Sequence, residues 1–167
     1  MKSQTHRKSQ GFTIIELVVV IVIIGILAAT ALPRFVDMTG DAQSAQVQAI
    51  GGAFSTGVNL SHAAWIAQGA TANVNTANLE GGIVVGLTDD GWPENTNTRG
   101  GNGAVNANEC IQLWNALLTT PPSIARNTRE EWRAQASGTI CTFTYNASAG
   151  RTVAYDVANG QVVTTVP

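Results

Sequence analysis

Charge is what this chain has least of. Only 12% of its 167 residues are Asp, Glu, Lys or Arg, against roughly 25% in ordinary soluble domains. Nine Lys plus Arg stand against eleven Asp plus Glu, for a net charge of −2, so no cationic excess exists to neutralise phosphates, and no nucleic-acid partner is expected. Both lysines, Lys2 and Lys8, lie in the first eight residues, which excludes a phosphate loop ending in Gly-Lys from the remainder. Beyond His6 the one histidine is His62. A Ser/His/Asp triad would have to use it, and the Gly-x-Ser-x-Gly nucleophile elbow is absent around Ser55. No catalytic residue is expected. Two cysteines are too few for a disulfide scaffold or a Cys-rich zinc site, although they suffice for one bridge.

Apolar residues are present and unevenly spread. Phe12 to Leu32 is a run of 21 residues with one charge, Glu16. As a helix it is roughly 31 Å long, the thickness of a bilayer's hydrocarbon. Lys2, Arg7 and Lys8 precede it, which by the positive-inside rule leaves the N-terminus in the cytoplasm and the rest outside. Three readings fit: a plain anchor, a signal peptide cut after Ala31 at Ala29-Thr30-Ala31, and a leader of another kind. The run exceeds the 7 to 15 residues of a signal core. A carboxylate inside it costs about 2.5 to 3.5 kcal/mol on insertion scales, so Glu16 either lies near the interface or has a purpose.

The segment Lys8 to Leu17, KSQGFTIIEL, followed by VVVIVIIGILAATALPRF, resembles the N-terminal signature of type IV prepilins. The resemblance implies cleavage between Gly11 and Phe12 by a membrane-embedded prepilin peptidase, methylation of the new Phe12 amine, and retention of the apolar segment. It also implies that Glu16 pairs with a neighbouring subunit's N-terminus. A free amine and a carboxylate in apolar surroundings each relieve the other's desolvation. Loss of Lys2, Arg7 and Lys8 takes the net charge from −2 to −5 and leaves no lysine.

The expected fold is α+β: a long N-terminal helix, kinked at Pro33, packed on an antiparallel sheet of three or four strands. The expected organisation is a leader over 1–11, a transmembrane and filament-core half-helix over 12–32, an amphipathic half over 33–68 and a globular head over 69–167. Past Pro33 the apolar positions Phe35, Met38, Ala42, Ala45, Ala49, Ala53 and Gly57 recur in steps of three and four, and Gln68-Gly69 is a plausible stop. The alternative is that Pro33 ends the helix. Residues 70–79 and 89–108 read as loops, with a short strand over Gly82 to Thr88 between them. Asn108 reads as the N-cap of a helix from Glu109 to Leu118, and Arg126 to Ala136 as a further turn or two of helix. Strands follow over Thr139 to Tyr145, Arg151 to Val157 and Gln161 to Val166, the last two joined by a type I′ turn at Asn159-Gly160.

Cys110 and Cys141 fall on expected buried faces, beyond the span and so in an oxidising compartment. Joined, they close a loop worth about 3.7 kcal/mol in the chain-entropy model; the alternative is two separate buried thiols. By the same resemblance, residues 110–141 would be the disulfide-bounded variable region. The segments ALPRFVDM, Gly91 to Pro93 and CIQLWNALL are similar to the mannose-sensitive haemagglutinin type of pilin. No cofactor or resident metal is expected: Asp89, Asp90, Glu94 and Glu109 supply oxygens that suit calcium but lack EF-hand spacing, and His62 fits the sheet or solvent better than a metal. Asn59-Leu60-Ser61 and Asn146-Ala147-Ser148 match the glycosylation triplet. Trp92, Trp114 and Trp132 with Arg126, Arg129 and Arg133 would form either core and subunit contacts or an adhesive surface for a glycan, a cell or DNA.

The reading these features support is a structural subunit that passes from the bacterial inner membrane into an extracellular fibre of identical copies. The prepilin peptidase and pilus assembly machinery are its expected processing partners, and a surface or host glycan is a candidate receptor. A pseudopilin of a type II secretion system and a secreted binding protein cut after Ala31 are the alternatives.

Overall fold

The computed structural model describes residues 11–70, 75–96 and 103–167. The leader residues 1–10, with Lys2, Arg7 and Lys8, lie outside the described residues, as do parts of both expected loops, 71–74 and 97–102.

Helix α1 runs Ile14–Ala67. It does not stop at Pro33, where an imino nitrogen withholds the bond that Ala29's carbonyl would receive in a regular helix. It ends where a glycine permits: Gly69 has φ 103°, and Gln68 returns its side-chain amide to the Ala64 carbonyl at 3.1 Å. The chain divides into two compact units, one up to Asp41 and one from Ala42 onward. In the first, the apolar stretch Ile14 to Leu32 is not buried against any described residue.

In the second unit α1 has a narrow buried face, comprising Val47, Gly51, Phe54, Gly57, Val58 and Ser61. This corrects the expected stripe. Ala42, Ala45, Ala49 and Ala53 are exposed, and Gly57 alone is common to both sets. Alanine is too small to show which side a helix buries; the bulk of Phe54 and the two valines decides it.

Two sheets meet that face. The first is antiparallel, β1 (Thr76–Leu79), β2 (Ile83–Leu87) and β3 (Pro93–Asn95) in that order. β1 and β3 lie within segments expected to be loops. They are four and three residues long, too short for their alternation to show against Asn and Thr. Helix α2 (Ala107–Leu117) follows. Its cap is Asn106, whose side chain accepts from the amides of Asn108 and Glu109 while Glu109 returns a carboxylate to the Asn106 amide. The expected cap at Asn108 is two residues too late, because the Asn-x-x-Glu box pairs Asn106 with Glu109.

The second sheet has the order β4 (Ile124–Ala125), β5 (Trp132–Ser137), β6 (Ile140–Tyr145), β7 (Thr152–Asp156) and β8 (Gln161–Thr165). Four of its strands are antiparallel neighbours, as expected, and the two-residue β4 adds a parallel edge. β5 replaces the helix expected over Arg126 to Ala136. Trp132 and Ala134 are buried while Gln135 and Ser137 face out, a period of two that a pairing with β6 enforces on residues of indifferent propensity. The β7–β8 hairpin forms, but Asp156 pairs with Gln161, so its loop has four residues. Asn159 lacks the positive φ of a type I′ turn; Gly160, at 72°, has it.

The core is aromatic. Phe54 lies 5.3 Å from Phe143, 5.5 Å from Tyr155 and 6.0 Å from Trp114 between ring centroids. Trp114 continues the cluster to Trp132 at 4.8 Å. A Cβ on Gly57 would strike the Leu117 carbonyl, so glycine there lets α1 and the end of α2 approach.

Candidate functional site

The beginning of α1 is built by its own sequence. Thr13 donates from its amide and its hydroxyl to Glu16 Oε2, both at 2.8 Å, and the Glu16 amide donates to Thr13 Oγ1 at 3.3 Å. Thr-x-x-Glu is a capping box, in which each residue satisfies an amide that the first helical turn leaves free. Sequence reasoning weighed Glu16 as an interfacial or assembly residue and missed this role, although the spacing displays it. Phe12 is 93% exposed, and with Ile15, Glu16, Leu17, Val19 and Val20 it forms one apolar patch bearing a single carboxylate. Gly11 is exposed beside it.

Chemically, this is a capped helix terminus whose flank presents apolar side chains and one carboxylate. None of the described residues covers Ile14 to Leu32. At about 25 cal/mol per Å², leaving 19 such residues in water is prohibitive, so the segment requires lipid or other apolar helices.

In the head, Cys110 and Cys141 form a disulfide with Cα atoms 5.6 Å apart. Both are fully buried, which excludes the two-thiol alternative and ties α2 to β6.

The other candidates separate. Glu94 is 1% exposed, on β3, and accepts from the Gly103 amide at 2.7 Å. Asp89 and Asp90 are exposed in the turn between β2 and β3, and Glu109 is occupied in the α2 cap. Among the described residues no three His, Cys, Asp or Glu converge as a metal site. His62 is half-buried, stacked on Trp92 at 3.9 Å and 9° and on Trp65 at 5.3 Å, with Nδ1 3.1 Å from the Gly91 carbonyl. It packs against tryptophans, which neither the sheet nor the solvent expectation named.

Trp114 and Trp132 are fully buried. They belong to the core, and the adhesive tryptophan surface is not assembled. Both glycosylation triplets are compromised. Ser61 is buried and donates to the Gly57 carbonyl at 2.9 Å, and Asn146 spends its amide on the Glu130 carbonyl at 2.7 Å.

Tyr155, fully buried, donates to the Pro93 carbonyl at 2.7 Å. Burial first, then the nearby charges of Asp156 and Glu94, push its phenol well above the ordinary value.

An exposed, apolar N-terminal helix segment, long enough to cross a membrane, followed by a disulfide-tied α+β head is the architecture of the described residues. Residues 6–32 match the prokaryotic N-terminal methylation motif. The chain is 44% identical over 92 residues to the type IV narrow pilus major component PilA5 of Thermus thermophilus, covering 54% of this chain and 75% of that protein. It is 39% identical over 71 residues to a fimbrial protein of Neisseria meningitidis, covering 41% of this chain and 42% of the relative. Over 86 residues it is 38% identical to the type IV major pilin protein PilE1 of Neisseria gonorrhoeae, covering 52% and 29% respectively. The matched part thus spans less than half of either neisserial relative. No solved structure matches significantly. The chain belongs to the type IV pilin family.

Proposed function

We propose that this protein is the structural subunit of a type IV pilus, held in the inner membrane as a precursor, cut after Gly11, methylated at Phe12 and polymerised through α1 into an extracellular fibre. The observation that carries the reading is the unburied Ile14 to Leu32 stretch, which needs lipid before assembly and neighbouring helices afterwards. The partners are identical subunits, the prepilin peptidase and the assembly machinery. Pro33 supplies a bend between the half that inserts and the half that carries the head.

Glu16 has two successive tasks in this scheme. In the protomer it caps α1 through Thr13; in the fibre it meets the Phe12 amine of a neighbour. Adhesion and surface attachment follow from the polymer, as does any motility. The likeness of ALPRFVDM and CIQLWNALL to the mannose-sensitive haemagglutinin type favours adhesion.

Two measurements test the reading. The mature N-terminus should have the mass of a methylated Phe12; a chain beginning at Leu32 would show that the apolar helix is discarded. Glu16→Gln keeps an oxygen for the Thr13 amide and removes the charge. It should leave the protomer in the membrane and nearly abolish fibres, because an amine left without its buried partner costs about 3 to 5 kcal/mol. Normal fibre yields from Glu16→Gln would refute the pairing.

A further inference from the structure

Asn159 and Gly160 lie in the loop between β7 and β8, and the Asn159 side chain is held at both of its polar atoms. Its Oδ1 accepts from the Gln161 amide at 2.9 Å, and its Nδ2 donates to Asp156 Oδ2 at 3.0 Å. The first of these bonds folds the carboxamide forward over the next peptide, as asparagine does in an Asx turn. The ring it closes contains Asn159 Cγ, an electrophilic carbon, and the Gly160 amide nitrogen.

Three features make those two atoms a reactive pair. Glycine has no Cβ to shield its nitrogen. The Gln161 N–H sits on the oxygen that takes up negative charge when Cγ becomes tetrahedral, where a fixed donor lowers the barrier. The Asp156 carboxylate fixes the rotation of the carboxamide, so the pair reacts without the entropy loss of an encounter. One bond opposes attack. The Gly160 amide donates to the Asp156 carbonyl at 2.9 Å and must first be released, which makes the reaction slow.

Other asparagines supply the comparison. Asn106 accepts from the Asn108 amide at 2.9 Å and Asn127 from the Arg129 amide at 3.1 Å; both make the same turn, and both are exposed, as Asn159 is. The residues that follow them are Ala107 and Thr128, whose Cβ atoms crowd the nitrogen. A further Asn-Gly pair, Asn102-Gly103, begins outside the described residues, and its Gly103 amide is held by the Glu94 carboxylate at 2.7 Å.

We propose that Asn159 is a self-modification site. The Gly160 nitrogen attacks Asn159 Cγ; the N–Cγ bond forms and the Cγ–Nδ2 bond breaks. The proton lost by the Gly160 nitrogen passes through solvent to Nδ2, which departs as ammonia. Water then opens the cyclic imide at either carbonyl and leaves aspartate or isoaspartate at position 159. Either product sets a carboxylate where an amide had donated to Asp156, and isoaspartate adds a methylene to the main chain. Gly160 has no room for the shift, since even a Cβ there would strike the Trp92 ring. Trp92 in turn is stacked on His62 of α1 at 3.9 Å. Conversion therefore pries the β7–β8 hairpin from the aromatic stack that joins it to α1, and the head loosens with age.

Ageing the full chain in detergent at neutral pH tests this, read by peptide mass mapping with fragmentation that separates aspartate from isoaspartate. Asn159 should convert at least about tenfold faster than Asn106 and Asn127, because glycine alone leaves the attacking nitrogen open. Equal rates at the three positions would overturn the proposal. Amide exchange at Val162, which faces Tyr155 across the hairpin, reads the consequence. Between fresh and aged wild-type protein it should rise at least about threefold as the hairpin opens locally. The same ageing should leave it constant in Asn159→Gln, whose longer side chain forms the corresponding imide far more slowly. Conversion without faster exchange, or an equal rise in Asn159→Gln, would overturn the loosening.

Discussion

The two parts of α1 belong to one continuous helix and behave oppositely. Ile14 to Leu32 is apolar on every side and buries none of it. The part beyond Ala42 is richer in Ala, Gly, Ser and Gln, yet it fixes the head through a few positions, chiefly Val47, Phe54 and Val58. Hydrophobicity alone therefore does not locate a core. A helix stabilises its own chain only where that chain supplies a complementary surface; elsewhere its apolar area is available to lipid or to other molecules.

The sharpest way to break this comparison is to truncate one side chain in each part. Phe54→Ala removes a ring in contact range of Trp114, Phe143 and Tyr155 and should cost the head about 3 to 5 kcal/mol. The measurement is denaturant unfolding of detergent-solubilised protein followed by tryptophan fluorescence. Val20→Ala, within the unburied stretch, should leave that transition in place. Equal losses would mean that the inner part also supports the head. Next in size is the covalent tie: replacing both Cys110 and Cys141 by serine should cost about 2 to 4 kcal/mol in the same assay, with the membrane insertion of α1 unchanged.

How much of this was legible beforehand follows the same division. The apolar run was plain in the sequence because no tertiary contact modifies it. So were the α2 face of Cys110, Leu113, Trp114 and Leu117, all buried, and the alternation of Cys141, Phe143 and Tyr145. The buried face of α1's outer part was not, since a helix dense in alanine presents several equivalent stripes. β5 was hidden because Arg, Ala, Gln and Ser favour no strand until β6 and β4 bracket them. At the N-terminal site, Gly11, Phe12 and Glu16 were picked out by their pattern, whereas the Thr13 cap needed only the Thr-x-x-Glu spacing.

The outer part's dependence on the head can be sharpened with pH. The Tyr155 phenol is raised by burial and by Asp156 and Glu94, so the folded state keeps its proton when the unfolded chain, with an ordinary value near 10, releases it. Stability is then full below about pH 10 and falls as pH rises toward the folded value. Tyr155→Phe should flatten this alkaline loss while lowering neutral-pH stability by about 1 to 3 kcal/mol, because the Pro93 carbonyl loses its donor. An alkaline limb unchanged in Tyr155→Phe would assign the loss to another group.

The smallest effect asks whether α2 acts on α1 through its packing or through its helicity. Asn106 caps α2, whose far end meets α1 where Gly57 abuts Leu117. Asn106→Ala frees two amides at the N-terminus of α2, eleven residues from that contact, and should cost about 1 kcal/mol. Because the disulfide at Cys110 and the burial of Trp114 hold the helix in place from its other turns, the loss should stay local, visible as faster amide exchange at Asn108 and Glu109 with no change at Phe54 or Val58. Faster exchange spreading to the outer part of α1 would show that the head secures that part through one cooperative unit, and the contrast between the two parts of α1 would then be one of assembly as a whole rather than of a few named contacts.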